Sequence, residues 1–260
     1  MQDSSRDTRP ATTGAAAAAL AAVALAVAAV VTAAPATAIV GGAEAAPGAY
    51  PWLAAIGTPA FAMRPGGQFC AGALIAPDQV ITAAHCAVLA QEAPGALTAT
   101  FDRGDLAQGG GITVGIKNIR IDPRFRVSIF DSDLTYHHDL ALLTLAQPVA
   151  VTPVAVAAPH GDTGTVVGWG ATADGDWSNS RLHTVTVPLA ADVDCTTAYG
   201  TEFDAGEAFC AGSPTADTGE FDSGGPLLVD GKLAGVTSWG KGSAQPGYPG
   251  VYARVSSTAF

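Results

Sequence analysis

Residues 222–240 read DSGGPLLVDGKLAGVTSWG. Two apolar runs, LLV and LAGV, flank Asp230-Gly231. Asp-Gly between apolar runs is a strong hairpin signal, because a two-residue turn of the right twist needs positive φ at both central positions. This part of the chain therefore reads as antiparallel β structure. Working outward, short apolar or alternating runs separated by turns recur in both directions. They include WLAAIG (52–57), FCAGALIA (69–76), QVITAA (79–84), DLALLTL (139–145), TVVGWG (165–170), HTVTVPL (183–189) and GVYARV (250–255). No long segment of helical period follows residue 38, so the pattern predicts an all-β barrel or sandwich. Segment 146–159, with Pro148, Pro153 and Pro159, reads as the connection between two β halves, 39–152 and 153–260.

The chain has 260 residues, enough for a large core, and its 31 glycines and 17 prolines are dispersed rather than repeated. A net charge of −11 argues against nucleic acid and anionic membranes as partners and suits basic substrates. Residues 1–38 differ in kind. Arg6 and Arg9 precede an apolar run, Ala15 to Val31, that ends in TAAPATA, the layout of a secretory signal peptide. A membrane anchor is the weaker reading, since the run is short, mostly alanine and lacks a basic flank. Removing 1–38 takes away two acids and two bases and leaves the charge at −11. Secretion places Cys70, Cys86, Cys195 and Cys210 in an oxidising compartment, where four cysteines allow three pairings. Each close-spaced pair would close a loop of about fifteen residues, worth ~3 kcal/mol. Zinc-type C-x-x-C spacing is absent, and Asp102 and Asp105 in segment 101–111 lack a convincing calcium ligand set, so no metal or cofactor is expected.

Hydrolysing an amide through serine requires a base for the hydroxyl proton, a carboxylate to orient that base, and donors for the oxyanion. His85 ends VITAAHC beside a cysteine that could pin it. Asp139 opens an apolar strand where a partly buried carboxylate could hold an imidazole, and Ser223 lies in a glycine-flanked turn. Each alone has a bland reading, as structural histidine, strand cap or polar turn. Together, IVGG (39–42), ITAAHC (81–86), HDLALL (138–143), DSGGPL (222–227), SWG (238–240) and PGVY (249–252) stand in the order found in trypsin-like serine proteases, which the chain resembles from Ile39 to about Val255. The resemblance implies two perpendicular six-stranded antiparallel β-barrels with the active site in the cleft between them. It implies His85 as general base and acid, Asp139 as its orienter, Ser223 as nucleophile and the Phe221 and Ser223 N–H groups as oxyanion hole. It also implies disulfides Cys70–Cys86 and Cys195–Cys210.

Asp217, six residues before the nucleophile, matches the floor of the specificity pocket, and Gly240 and Gly250 match its walls. A buried carboxylate there selects polypeptides with Arg or Lys at the cleavage site. Ser238 is expected beside the triad, Trp239 and Gly240 along the substrate backbone, Glu220 on the cleft rim, and Trp169 in the core. The resemblance further implies that a free amino group at Ile39 pairs with Asp222; Ala36-Thr37-Ala38 is itself a signal-peptidase site, so removal of the signal would create that terminus directly. A secreted, extracellular monomer without stable membrane association is the expectation.

Three positions depart from the family pattern. Phe221 stands where relatives carry an oxyanion-hole glycine, Gly219 and Ser243 replace a pocket disulfide, and relatives continue past the position of Phe260 into a helix. Phe221 leaves open a catalytically weak, protease-like binding protein, and a protease preferring apolar residues is the other alternative.

Overall fold

A computed structural model describes residues 39–172 and 177–257; the predicted signal peptide lies outside them. The strands are β1 (Ala43–Glu44), β2 (Leu53–Gly57), β3 (Gln68–Ala76), β4 (Gln79–Thr82), β5 (Thr98–Phe101), β6 (Ile112–Ile121), β7 (Arg126–Phe130) and β8 (Asp133–His137). They continue as β9 (Ala141–Leu145), β10 (Thr163–Gly168), β11 (His183–Pro188), β12 (Ala208–Ala211), β13 (Pro226–Val229), β14 (Lys232–Trp239) and β15 (Gly250–Arg254). Among the described residues, two short α-helices, α1 (Ala84–Ala87) and α2 (Asp192–Tyr199), interrupt them. The all-β expectation holds.

The first half closes into a barrel in the order β2-β3-β4-β9-β6-β5. The second half forms the antiparallel order β1-β11-β10-β13-β14-β15-β12, with β1 added outside β11 from the N-terminal segment. Its ends meet beyond the ladders: Leu189 bridges Ala211, and Gly212 N–H donates to Pro188 O at 2.9 Å. Six strands thus make a ring that a bridge, rather than a full ladder, completes. The predicted hairpin is β13–β14, with Asp230 at φ 49° and Gly231 at φ 71°.

Residues 146–162 between the halves carry no strand, yet they are pinned to both. Val154 N–H donates to Leu74 O, Ala157 N–H to Leu233 O, and Leu233 N–H to Ala155 O. One apolar cluster runs from Leu53, Ile56, Leu74 and Leu143 to Trp169, Leu228, Leu233 and Val236, so the halves share a core. A second hairpin, β7–β8, reaches across as well. His137 Nδ1 meets Glu207 Oε1 at 2.7 Å, Asp131 pairs with Lys241, and Phe130 packs on Tyr199. Among the described residues, no helix is long and apolar enough to cross a membrane.

Candidate active site

His85 sits in α1 directly after β4, and the Cys70–Cys86 disulfide ties that turn to β3. Asp139 lies between β8 and β9, where His138 at φ 48° turns the chain inward. The Asp139 carboxylate is 1% exposed: Oδ1 accepts the His85 backbone N–H at 2.9 Å, and Oδ2 faces His85 Nδ1 at 2.7 Å. Ser238 Oγ donates to the same Oδ2 at 2.6 Å. Burial opposes its ionisation, but the His85 charge and these hydrogen bonds outweigh it and hold the carboxyl below its ordinary range. Tyr136 stacks on the imidazole, ring centroids 4.4 Å apart. The ring is therefore set from its Nδ1 edge and one face. His85 and Ser223 line one cavity of about 500 Å³, together with Phe69, the Cys70–Cys86 bridge and Leu97. Cys70, His85 and Cys86 crowd together, but both sulfurs are spent in the disulfide, so no thiolate stands ready for a metal.

The Ser223 turn is held against both barrels. Ser223 O accepts Ala71 N–H from β3 at 2.8 Å, and Gly224 N–H donates to Thr237 O on β14 at 2.8 Å. A Cβ at Gly224, where φ is 76°, would lie 2.2 Å from Thr82 Oγ1 and 2.4 Å from Ala71 O. The glycine after the serine is thus needed for both its conformation and its close approach to β3 and β4.

Phe221 adopts φ 72°, a left-handed conformation that costs a non-glycine residue about 1–2 kcal/mol. The Glu220 carbonyl accepts Ala171 N–H at 2.7 Å, which turns the 220–221 peptide so that the Phe221 N–H faces the opposite way. Among the described residues, neither the Phe221 nor the Ser223 N–H donates to a protein acceptor. The Phe221 ring turns away into an aromatic nest: Trp177 lies edge-on at 5.3 Å, Phe61 at 6.0 Å, and the Arg64 guanidinium at 4.3 Å. Gln68 Nε2 donates to Phe221 O at 2.9 Å. Trp177 Nε1 donates to Glu220 Oε2 at 2.7 Å, so Glu220 is tethered on the exposed rim. Nothing in the sequence motifs pointed to Arg64, Gln68 or Trp177.

Asp217 is 2% exposed and lies beside the two expected wall glycines. A Cβ on Gly250 would stand 3.0 Å from Asp217 Oδ1, and one on Gly240 would stand 3.6 Å from Gly250 Cα. The carboxylate accepts Thr218 N–H on Oδ1 and Ala244 N–H on Oδ2, both at 2.8 Å. Burial nevertheless pushes its pKa up to about 6. Trp239 is braced by Tyr199, 4.7 Å away, whose hydroxyl donates to Pro249 O at 2.7 Å. Gly219 and Ser243, without the pocket disulfide, line a cavity of about 270 Å³ with Val40, Ala171 and Ala244.

Asp222 is wholly buried behind the turn. Its oxygens accept Gly170 N–H at 2.8 Å and Gly219 N–H at 2.9 Å, and burial drives its pKa up to about 7. A Cβ on Gly168 or Gly170 would fall 2.0 or 2.2 Å from those oxygens, which explains the two glycines around Trp169. Trp169 itself is core, 1% exposed. Ile39 is fully buried among Val166, Val187 and Leu227, and the next residue, Val40, bridges Asp217. The Cys195–Cys210 disulfide joins α2 to β12.

A search of family models matches residues 39–259 to the family described as Trypsin. The chain is 39% identical over 228 residues to "Trypsin" of Saccharopolyspora erythraea, covering 84% of this chain and 94% of that protein. It is 34% identical over 230 residues to "Trypsin-1" of Astacus astacus, covering 84% and 95%. Among solved structures, the mouse brain serine protease neuropsin superposes with a TM-score of 0.71 at 28% identity, over 82% of this chain and 93% of that one.

Proposed function

The chain belongs to the trypsin family and is a serine endopeptidase, and from that premise we propose that it cleaves polypeptides after Arg or Lys through an acyl-enzyme on Ser223. The observation that carries the specificity is the buried Asp217 carboxylate beside Gly250, with Gly240 next to it, two positions that put no side chain in the way of an entering one. An arginine or lysine entering the slot supplies the countercharge that Asp217 lacks, whereas a neutral side chain leaves a buried carboxylate unpaired.

In the proposed cycle, Ser223 Oγ attacks the scissile carbonyl carbon while His85 Nε2 takes the hydroxyl proton. Asp139 holds the Nδ1–H at 2.7 Å and stabilises the imidazolium. Negative charge on the carbonyl oxygen is received by the Phe221 and Ser223 N–H groups. The tetrahedral adduct collapses, the C–N bond breaks, and His85 returns the proton to the leaving amine. Water then repeats the sequence on the ester and frees Ser223. Substrate backbone runs along Ser238, Trp239 and Gly240 as an added strand.

We further propose that the chain is secreted, that removal of 1–38 frees the Ile39 amine, and that this ammonium pairs with Asp222. The buried, strongly destabilised Asp222 carboxylate is the observation behind that pairing. Stable membrane association and nucleic acid partners are not part of the reading, and the protein acts as a monomer.

A fluorogenic Arg-amide, compared with Phe- and Leu-amides and with Ser223→Ala as control, tests the proposal. Turnover that prefers Arg and disappears in Ser223→Ala is expected. Equal rates for wild type and mutant would leave only the protease-like binding protein, and faster Phe- or Leu-amide hydrolysis would leave an enzyme for apolar residues. The geometry of Phe221 favours the enzyme over the binding protein, because its N–H is turned away from the bond that holds Glu220 O.

A further inference from the structure

Arg64 precedes β3 in a surface loop, yet it is only 3% exposed. A buried guanidinium is tolerated only where its donors are met. Arg64 Nη2 donates to Trp169 O at 2.7 Å and Asn179 O at 3.0 Å, Nη1 to Trp177 O at 3.1 Å, and Nε to Gln68 Oε1 at 3.0 Å. Its Cζ lies 4.3 Å from the Phe221 ring centroid, within cation–π range.

These contacts bracket one residue, Phe221. On one side, Trp169 leads into Gly170 and Ala171, whose N–H groups hold Asp222 Oδ1 and Glu220 O. On the other, Gln68 is oriented by Arg64 Nε and donates to Phe221 O, while the guanidinium faces the Phe221 ring. Phe221, at a φ that phenylalanine disfavours, is held through the peptide before it by Ala171 and through the peptide after it by Gln68, and both holds lead back to Arg64.

We propose that Arg64 is a positioning residue for hydrolysis. Acting through Phe221 and Gln68, it keeps the Phe221 N–H aimed into the cleft, so that a guanidinium clamp does for phenylalanine what the missing side chain does for glycine. The inference rests on the assignment of Phe221 N–H as an oxyanion donor. It also separates two functions: the substrate's basic side chain enters the Asp217 slot and does not touch the clamp.

The test uses Arg64→Met, which keeps length but removes charge and donors, and Arg64→Lys, which keeps charge but not the fork. Three readouts are taken: turnover of an Arg-amide, inhibition by benzamidine, which fills only the slot, and inhibition by a peptide arginine aldehyde, whose adduct with Ser223 carries an oxyanion. Arg64→Met is expected to lower kcat by about 10²–10³ with KM within about twofold, the cost of one misplaced oxyanion donor. The aldehyde should weaken by the same factor and benzamidine by less than about twofold, with no rescue by lysine. Adding Phe221→Gly should restore most of the lost kcat, since glycine takes positive φ freely. Equal weakening of both inhibitors, or unchanged kcat, overturns the proposal. If Arg64→Met does not fold, Gln68→Leu breaks the same link and must give the same split; parallel loss of both inhibitors there overturns it too. Hydrogen exchange at Asp222, Gly224 and Gly225 reads the clamp without catalysis. Faster exchange in Arg64→Met supports the proposal, and unchanged exchange overturns it even if wild type turns over no Arg-amide, a result that would count against the proposed function instead.

Discussion

Ser238 Oγ donates to Asp139 Oδ2 at 2.6 Å, the oxygen that also faces His85 Nδ1 at 2.7 Å. Two donors on one oxygen, with the His85 backbone N–H on the other, leave the carboxylate a single orientation. Asp139→Asn keeps the shape but reverses the hydrogen-bond sense at Nδ1, and kcat should fall about 10⁴-fold, the loss known for this family's triad. Ser238→Ala removes one charge-assisted bond and should cost about tenfold in kcat at unchanged KM. Steady-state kinetics on an Arg-amide checks both.

Asp217 should impose its own pH dependence on the slot. With its pKa raised to about 6, the empty pocket takes up a proton as the pH falls below that value and loses the charge that attracts a cation. Benzamidine affinity, measured by calorimetry from pH 4 to 8, should be flat above about 7 and drop about tenfold per unit below about 5. Asp217→Ser should bind weakly at every pH. An affinity that is level across the range in the native protein would contradict this.

Asp222 links stability to processing. In a chain that still carries a residue before Ile39, burial holds its carboxyl at about 7, above its ordinary value of 3.8, so folding favours the protonated form. That contribution is fully present below about 4 and is lost as the pH rises toward 7, a change on the order of a few kcal/mol. Thermal melts of the extended chain should therefore show Tm falling across this window. Asp222→Asn should flatten the curve. A chain beginning at Ile39 should also be flatter, because its ammonium would hold the carboxylate ionised.

Gly250 is predicted to tolerate no side chain. A Cβ there would lie 3.0 Å from Asp217 Oδ1, and valine's branches would fill the slot between Gly240 and Asp217. Gly250→Val should lower kcat/KM for Arg-amides by at least about 10²-fold while the protein remains folded by circular dichroism.

The Cys195–Cys210 bridge pins α2 to β12. Replacing both cysteines by alanine should cost ~3 kcal/mol by the chain-entropy account. For a chain of this size that lowers Tm by roughly 6–12 °C. Calorimetry under non-reducing conditions measures it.

The β13–β14 hairpin could be read in advance because its turn chemistry is local, two positive-φ positions filled by Asp-Gly. Hairpin β7–β8 is not legible in the same way: its turn is Asp131-Ser132 at φ 48° and 75°, and without the glycine of an Asp-Gly pair it carries no hairpin signal. Helix α2 buries only Cys195 and Tyr199, too few to set up a visible period. At the candidate site, His85, Asp139 and Ser223 each stand in a short motif that singles them out as candidates. Arg64 and Gln68 do not, since Gln68 meets Phe221 O across 153 positions and Arg64 meets Trp169 O across 105. Motifs record what neighbours along the chain require. The clamp around Phe221 arises only when distant segments pack, and no pattern within a window can reveal it.

Residues 146–162 join the halves without a strand, but their bonds to Leu74 O and Leu233 O would survive a break in the covalent chain. His85 and Asp139 lie before this segment and Ser223 after it. A nick here would yield a two-chain protein rather than two fragments, because the shared apolar cluster keeps the pieces in register. The same stitching makes the halves suited to complementation: two polypeptides, each lacking part of the triad, that regain it only on meeting.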